Sequence, residues 1–361
     1  MRHTIWLALI LAVLLTGCPK GKYDDLPDAP DSDRASADQL WADYMQALGN
    51  RNASKNPILV ARFFSQPLMA VTTEAEFKKQ VTKCLKKRSA GAFQGVEVEG
   101  LKNGPDSLLL VVDSKAGQAA IPVVKDGDRI VFSELEASTG NWTGEAKPGP
   151  GQMPEEPSLL YIKMMLENKQ AKVGDRLRAA LMLSKTKYRK QIISYQRTIS
   201  DPIVRLGLGL ARIKIDGSDE SFVKNFPTSP GGIAALAQAD KKIFDEMIDK
   251  LANLGAMQED PPANEVLFKV AAAAPTGMRE QMGKALYTMA ELGPHRLANA
   301  VRNLTKDLDR DPALEIYVEE VKRRGGKAPK VFRFLKKFSR IGEPEERKLC
   351  KNLLDRIKKG I

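Results

Sequence analysis

Histidine is the scarcest chemistry-bearing residue in this chain of 361 residues, which has two. His3 lies ahead of the first apolar stretch, so His295 is the only one beyond that stretch. A Ser/His/Asp triad needs an imidazole base and a multi-histidine metal site needs several, so neither fits. His295 follows Leu292-Gly293-Pro294 and reads as a surface or capping residue at a helix start. Cysteine is nearly as rare, at three. Cys84 shares a helical stripe with Phe77, Val81 and Leu85, and Cys350 shares one with Leu353, Leu354 and Ile357. Both read as small buried apolar residues, with no metal-type spacing and no expected disulfide between them. No later run is long and apolar enough to span a bilayer, and no Gly-Lys-Ser/Thr follows Gly207 and Gly209 to make a phosphate loop. No catalytic, cofactor-binding or metal-binding residue is assigned, and the chain reads as a binding protein rather than an enzyme.

What is present begins at the first residue. Arg2 supplies a positive start, Ile5 to Leu15 is a short apolar run, and Leu15-Thr16-Gly17-Cys18 follows. That order makes a secretory signal. The last four residues resemble the bacterial lipobox. The resemblance implies a signal peptide over 1–17, cleavage before Cys18 and lipid on its thiol. Several acyl chains make a stable membrane anchor. Pro19, rather than Asp, follows the Cys, which in that family favours the outer membrane, facing the periplasm. Residues 18–35 are polar and Pro/Asp/Ser-rich, and are expected to form a disordered tether.

Residues 36–146 read as an α+β domain. Leu40, Trp41, Tyr44, Met45 and Leu48 mark one helix, ILVARFF a second, and Thr73 with Glu76 a capping box opening a third. The period then changes from 3.6 to 2 over four strands. Asn103-Gly104 and Asp126-Gly127 suit type I′ hairpin turns, and Lys115-Ala116-Gly117 also reads as a turn. Glu97 and Glu99 share one strand face, where they read as solvated rather than as an acid–base pair. Helices followed by AAIPVVKDGDRIVF resemble the nuclear-transport-factor-like, cystatin-like cone fold, which implies a curved sheet around a cavity. Catalytic members of that family place His/Asp or Tyr/Asp pairs there, and only Tyr44 stands as a candidate Tyr.

KPGPGQMPEEP, residues 147–157, is the expected linker. Residues 158–361 read as all-α. Four segments repeat an Arg followed by apolar or small residues at helical spacing, beginning at Arg176, Arg205, Arg279 and Arg347. DPIVRLGLGLARI and GMREQMGKALYTMAELG resemble HEAT repeats, which implies a helical solenoid with a surface for a protein partner. Gly207, Gly209, Gly283 and Ala285 are expected to let helices approach closely.

The net charge is +12, and residues 321–361, with 15 basic and 4 acidic side chains, carry almost all of it. Within them, Val331, Phe334, Leu335, Phe338 and Ile341 fall on one helical face, and Lys330, Arg333, Lys336, Lys337 and Arg340 cover much of the rest. Such a helix can lie on an anionic membrane or polymer, or pack its apolar face and leave its charges to solvent. Nucleic acid is set aside for an exported chain. The expectation is therefore a lipid-anchored envelope scaffold holding a protein partner, with anionic lipid or polymer binding through the basic end as the alternative.

Overall fold

In the computed structural model, the described residues are 23–359 except 51, 54, 57, 106, 114–117, 136–151, 258–262 and 298–306. The side chains of 307–311 and 345–346 are also left aside. Contacts divide the chain into two compact units, one ending at Met164 and the other beginning at Met165. The first is α+β and the second all-α.

The first unit opens earlier than expected. Helix α1 spans Asp31–Gly49 and buries Leu40, Trp41, Tyr44 and Leu48, the anticipated stripe. The disordered tether over 18–35 is therefore corrected for its described part. Tyr23 and Ala29 are buried. Ala29 N–H donates to the Leu101 carbonyl at 2.9 Å, and Asn103 N–H to the Pro27 carbonyl at 2.8 Å. Backbone pairing along a strand edge needs few apolar side chains, so a polar composition hides it.

The second expected helix is also corrected. It stops early, as α2, Ile58–Ala61, and a separate short helix, α3, spans Gln66–Val71. Between them the chain pairs with the last strand: Phe132 N–H donates to Phe63 O and Ser65 N–H to Phe132 O, each at 2.8 Å. Helix α4, Glu74–Ser89, carries the anticipated capping box. Glu76 N–H donates to Thr73 Oγ1 at 3.3 Å and Thr73 N–H to Glu76 Oε2 at 3.0 Å.

Strands β1 (Glu97–Asn103), β2 (Leu108–Asp113), β3 (Ala119–Asp126) and β4 (Arg129–Phe132) form an antiparallel meander in chain order. Both I′ expectations give way. Asn103 still pairs with Leu108 in the ladder, and Gly104 N–H closes a longer loop on Ser107 O at 2.9 Å. The β3–β4 turn is Gly127-Asp128, with positive φ at Gly127 alone. One positive φ at the first central residue is the II′ pattern, whereas I′ needs two. The Lys115-Ala116-Gly117 turn lies outside the described residues. Helices and sheet enclose Tyr44, Phe64, Phe77 and Phe132, with edge-on ring pairs at 4.8 Å (Tyr44–Phe132) and 5.4 Å (Phe64–Phe77). Helix α5, Leu159–Glu167, starts on this unit, where Ser158 Oγ donates to Met69 O at 2.8 Å.

In the second unit, α6 (Val173–Leu181), α7 (Arg189–Thr198) and α8 (Pro202–Asp216) come first. Asp201 caps α8, accepting from the Ile203 and Val204 amides at 3.0 and 3.2 Å. It also meets the buried Arg176 guanidinium at 2.9 Å. Two of the Arg-led strings are thus joined by one ion pair. A Cβ on Gly207 would meet Ala180 Cβ at 2.9 Å, so α8 can lie this close to α6 only without a side chain there.

Then come α9 (Glu220–Lys224), α10 (Pro230–Ala239), α11 (Lys241–Met257), α12 (Ala263–Ala273), α13 (Arg279–Leu292) and α14 (Asp307–Arg323). The single helix expected over 232–254 is broken at Asp240, whose carboxylate accepts from Ile243 N–H at 3.1 Å and restarts the chain as α11. The helix expected over 295–306 lies largely outside the described residues. Helix α6 packs on α8, α11 on α12 and α13, and α14 on α12 and α13. The unit closes with α15, Pro329–Ile341, and α16, Pro344–Lys359, packed on each other.

Candidate functional site

The last two helices form a hairpin because Gly342 and Pro344 punctuate the chain. Gly342 ends α15, and Pro344 is pre-organised for the first turn of α16. Two helices joined so tightly run antiparallel. Val331 and Leu335 of α15, and Cys350, Leu353 and Ile357 of α16, enter the shared core. Phe334 and Phe338 stack at 4.4 Å beside them. This apolar pattern turns the polar sides of both helices outward.

Between those sides lies an open cleft of about 560 Å³. Arg333, Lys336 and Arg340 line it from α15, and Lys351 and Lys358 from α16. All five cations are exposed. Among the described residues none of them makes an ion pair. Phe332 and Leu354 supply half-buried apolar wall, and Ser339 and Asp355 complete the lining. Three of the five cations singled out from sequence meet in the cleft. Lys330 and Lys337 are exposed on α15 but do not line the cleft. Lys351, Asp355 and Lys358 were missed. Their spacing of four and three residues on one helical face was the available signal.

Basic residues just before the hairpin are used differently. Glu320 is almost fully buried, with 2% of its side chain exposed. It accepts from Arg323 Nε at 2.8 Å and from Arg324 Nε at 2.7 Å. Arg323 also reaches Glu280 at 3.0 Å, and the Arg324 guanidinium lies 4.0 Å from the centre of the Tyr287 ring. Burial alone would raise the Glu320 pKa, but the two guanidinium hydrogen bonds outweigh it and hold the carboxyl below its ordinary value.

Elsewhere the arrangement is less suggestive of chemistry. The core of the first unit is filled by aromatic rings, and Tyr44 is fully buried with its hydroxyl 3.7 Å from Cys84 Sγ. Burial pushes the Cys84 thiol up to about 11, which disfavours a reactive thiolate. Glu97 and Glu99 are exposed, and Glu99 takes a short hydrogen bond from Gln118. A smaller surface cleft of about 340 Å³ sets Arg62 and Arg129 beside Asp43 and Asp128, a balanced set of charges. His295 is exposed in the helical turn 294–297. Cys84 and Cys350 are buried in separate units, and neither forms a disulfide. Among the described residues no His/Cys/Asp/Glu group could hold a metal ion, and no helix is long and apolar enough to cross a membrane. Cys18 lies outside the described residues.

Comparison with known proteins finds no matching family model, no matching curated protein and no matching solved structure. The functional reading therefore rests on the chemistry of the hairpin and on the sequence signals at the chain start.

Proposed function

We propose that this chain is a lipid-anchored protein of the bacterial cell envelope that binds an anionic envelope component through its C-terminal hairpin. The observation that carries the reading is the convergence of five cations, none in an ion pair among the described residues, on one cleft between α15 and α16. Cations held together without partners raise the local potential and draw anions. The lipobox-like Leu15-Thr16-Gly17-Cys18 supports the anchor, with the outer membrane facing the periplasm as its place. The reading has no catalytic step and no cofactor.

Replacing Lys330, Arg333, Lys336, Lys337 and Arg340 together by Gln tests the binding. Helix propensity stays near its original value. Val331 and Leu335 still pack. The variant keeps its melting temperature and loses retention on anionic vesicles or lipopolysaccharide. Retention of the parent falls steeply with salt, since exposed charges are screened beyond about 8 Å at physiological ionic strength. A parent that binds neither surface in low salt removes the proposal. The anchor is tested separately with Cys18→Ser, which leaves the chain unlipidated and out of the membrane fraction. Mass spectrometry showing an unmodified Cys18 in the parent removes the anchor.

A second reading keeps the protein-partner role. The successive contacts α6–α8, α11–α13 and α13–α14, with the close approach at Gly207, favour a HEAT-like stack whose exposed face holds a protein at the envelope. In the first unit, three or more helices followed by the four-strand meander favour the cone-like family, with its interior filled rather than open. A partner captured by the native protein and still captured by the five-Gln variant would assign that role to the stack.

A further inference from the structure

Five cations account for attraction to negative charge, but not for the other groups between α15 and α16. Asp355 stands among them, and among the described residues it makes no ion pair. Beside a bare phosphate such a carboxylate is a cost, because like charges repel. Beside a ligand that carries hydroxyl or amino groups next to its phosphate, it is an acceptor. Ser339 adds to this. Its hydroxyl donates to the Lys336 carbonyl at 2.9 Å, which leaves its oxygen to accept a second bond. Phe332 and Leu354 give the wall an apolar strip suited to the C–H face of a sugar ring.

Size points the same way. A cleft of about 560 Å³ falls within the range of small-molecule sites, roughly 300–1,000 Å³, and far exceeds one phosphate group. From Arg333 to Arg340 the charged stretch runs about 10 Å along α15 at 1.5 Å per residue. Lys351 and Lys358 line the same cleft from α16, about 10 Å apart along that helix at 1.5 Å per residue. Positive charge is thus spread along both walls, with Asp355 between Lys351 and Lys358 on α16.

We infer that the α15–α16 cleft is a site for a phosphorylated saccharide, its phosphates held by the five cations and its hydroxyl or amino groups by Asp355 and Ser339. The assignment rests on the anion-binding reading and narrows it to one ligand class. The apolar strip and the single carboxylate distinguish it from a surface that only attracts charge.

Calorimetric titration of the full mature chain in detergent tests it with three probes. They are a bisphosphorylated glucosamine disaccharide without acyl chains, its dephosphorylated form, and inorganic pyrophosphate. The phosphorylated disaccharide binds at least tenfold more tightly than pyrophosphate, and the dephosphorylated form gives no binding. Asp355→Asn weakens the disaccharide about tenfold and leaves pyrophosphate unchanged or tighter. Ser339→Ala weakens the disaccharide alone by a smaller factor, and Lys336→Gln with Arg340→Gln weakens both phosphorylated probes. Equal binding of disaccharide and pyrophosphate, or an equal effect of Asp355→Asn on both, overturns the saccharide site and leaves anion binding standing. Retention on anionic vesicles without binding of any soluble probe also overturns it, and assigns the charge to a membrane surface. Failure of both the probes and the vesicles overturns the anion-binding reading as well.

Discussion

The end of α14 and the hairpin that follows are both rich in arginine and lysine, yet their charges are used in opposite ways. Arg323 and Arg324 close on the buried Glu320, and Arg323 reaches Glu280 as well. Arg333, Lys336 and Arg340, a few residues later, face a cleft and make no ion pair among the described residues, although Asp355 shares its lining. The first set is structural. Its removal leaves a buried carboxylate without its donors. The second is available to a ligand. A count of basic residues joins the two sets, and only the location of the acidic partners separates them.

Four changes sharpen or break this contrast. The largest effect is expected at Glu320. Glu320→Ala removes a buried acceptor of several charge-assisted bonds and lowers stability by about 2 kcal/mol, read from denaturant unfolding. The five-Gln hairpin variant, by contrast, unfolds with the parent. Equal stability losses in the two variants would erase the distinction.

Gly283→Ala comes next. The added Cβ would lie 3.0 Å from Glu320 Cβ and 3.3 Å from the Ile316 carbonyl, so α13 and α14 must separate slightly. Overpacking of this kind costs roughly 1–3 kcal/mol, and here the low end is expected because both contacts fall only slightly inside ordinary van der Waals distance. Combined with Glu320→Ala the penalties should depart from additivity, since the two sites touch. Strict additivity would show that the close approach and the ion-pair cluster are independent.

Acid gives a smaller effect with a defined sign. The Glu320 carboxyl is held below its ordinary value of 4.5. A depressed folded-state pKa contributes stability that is full above the unfolded value and lost as pH falls through the folded one. The stability difference between the parent and Glu320→Gln should therefore be constant at neutral pH and shrink below about 4.5. Melting curves from pH 7 to 3 measure it, and a difference that grows on acidification contradicts the assignment.

The smallest effect is expected at Lys337, which is exposed and lies off the cleft. Lys337→Gln changes stability by less than about 0.5 kcal/mol and leaves saccharide binding within twofold, whereas Lys336→Gln weakens it. Similar losses at both positions would mean that the whole basic face, rather than the cleft, attracts the ligand.

Several features were legible because they are local. The capping box at Thr73, the Asp-Pro start at Asp201 and the stripes of Cys84 and Cys350 each follow from a few neighbouring residues. So did the order of strands, since alternation marks each one and short turns keep a meander in sequence. The misreadings arose where a distant segment decides. Residues 27–29 looked like tether until the β1 edge supplied their hydrogen bonds. The break between α2 and α3 depends on Phe132, far along the chain. The type I′ turns failed because the ladder between strands, not the dipeptide, sets which residues occupy the central positions.

The candidate site divides along the same line. Composition and period alone determined that α15 is a basic amphipathic helix, because i, i+3 and i+4 spacing fixes which side chains share a face. They also determined the α+β and all-α halves of the chain, since each element's period is a property of contiguous residues. Only the tertiary structure decided which charges matter. Folding α16 against α15 brought Lys351, Asp355 and Lys358 to the same cleft as Arg333, Lys336 and Arg340, and packing α13 on α14 set Glu280 and Tyr287 beside Arg323 and Arg324. The physical reason is range. Hydrophobic period is written along one helix, whereas the field at a cleft is a sum over groups that only packing brings together.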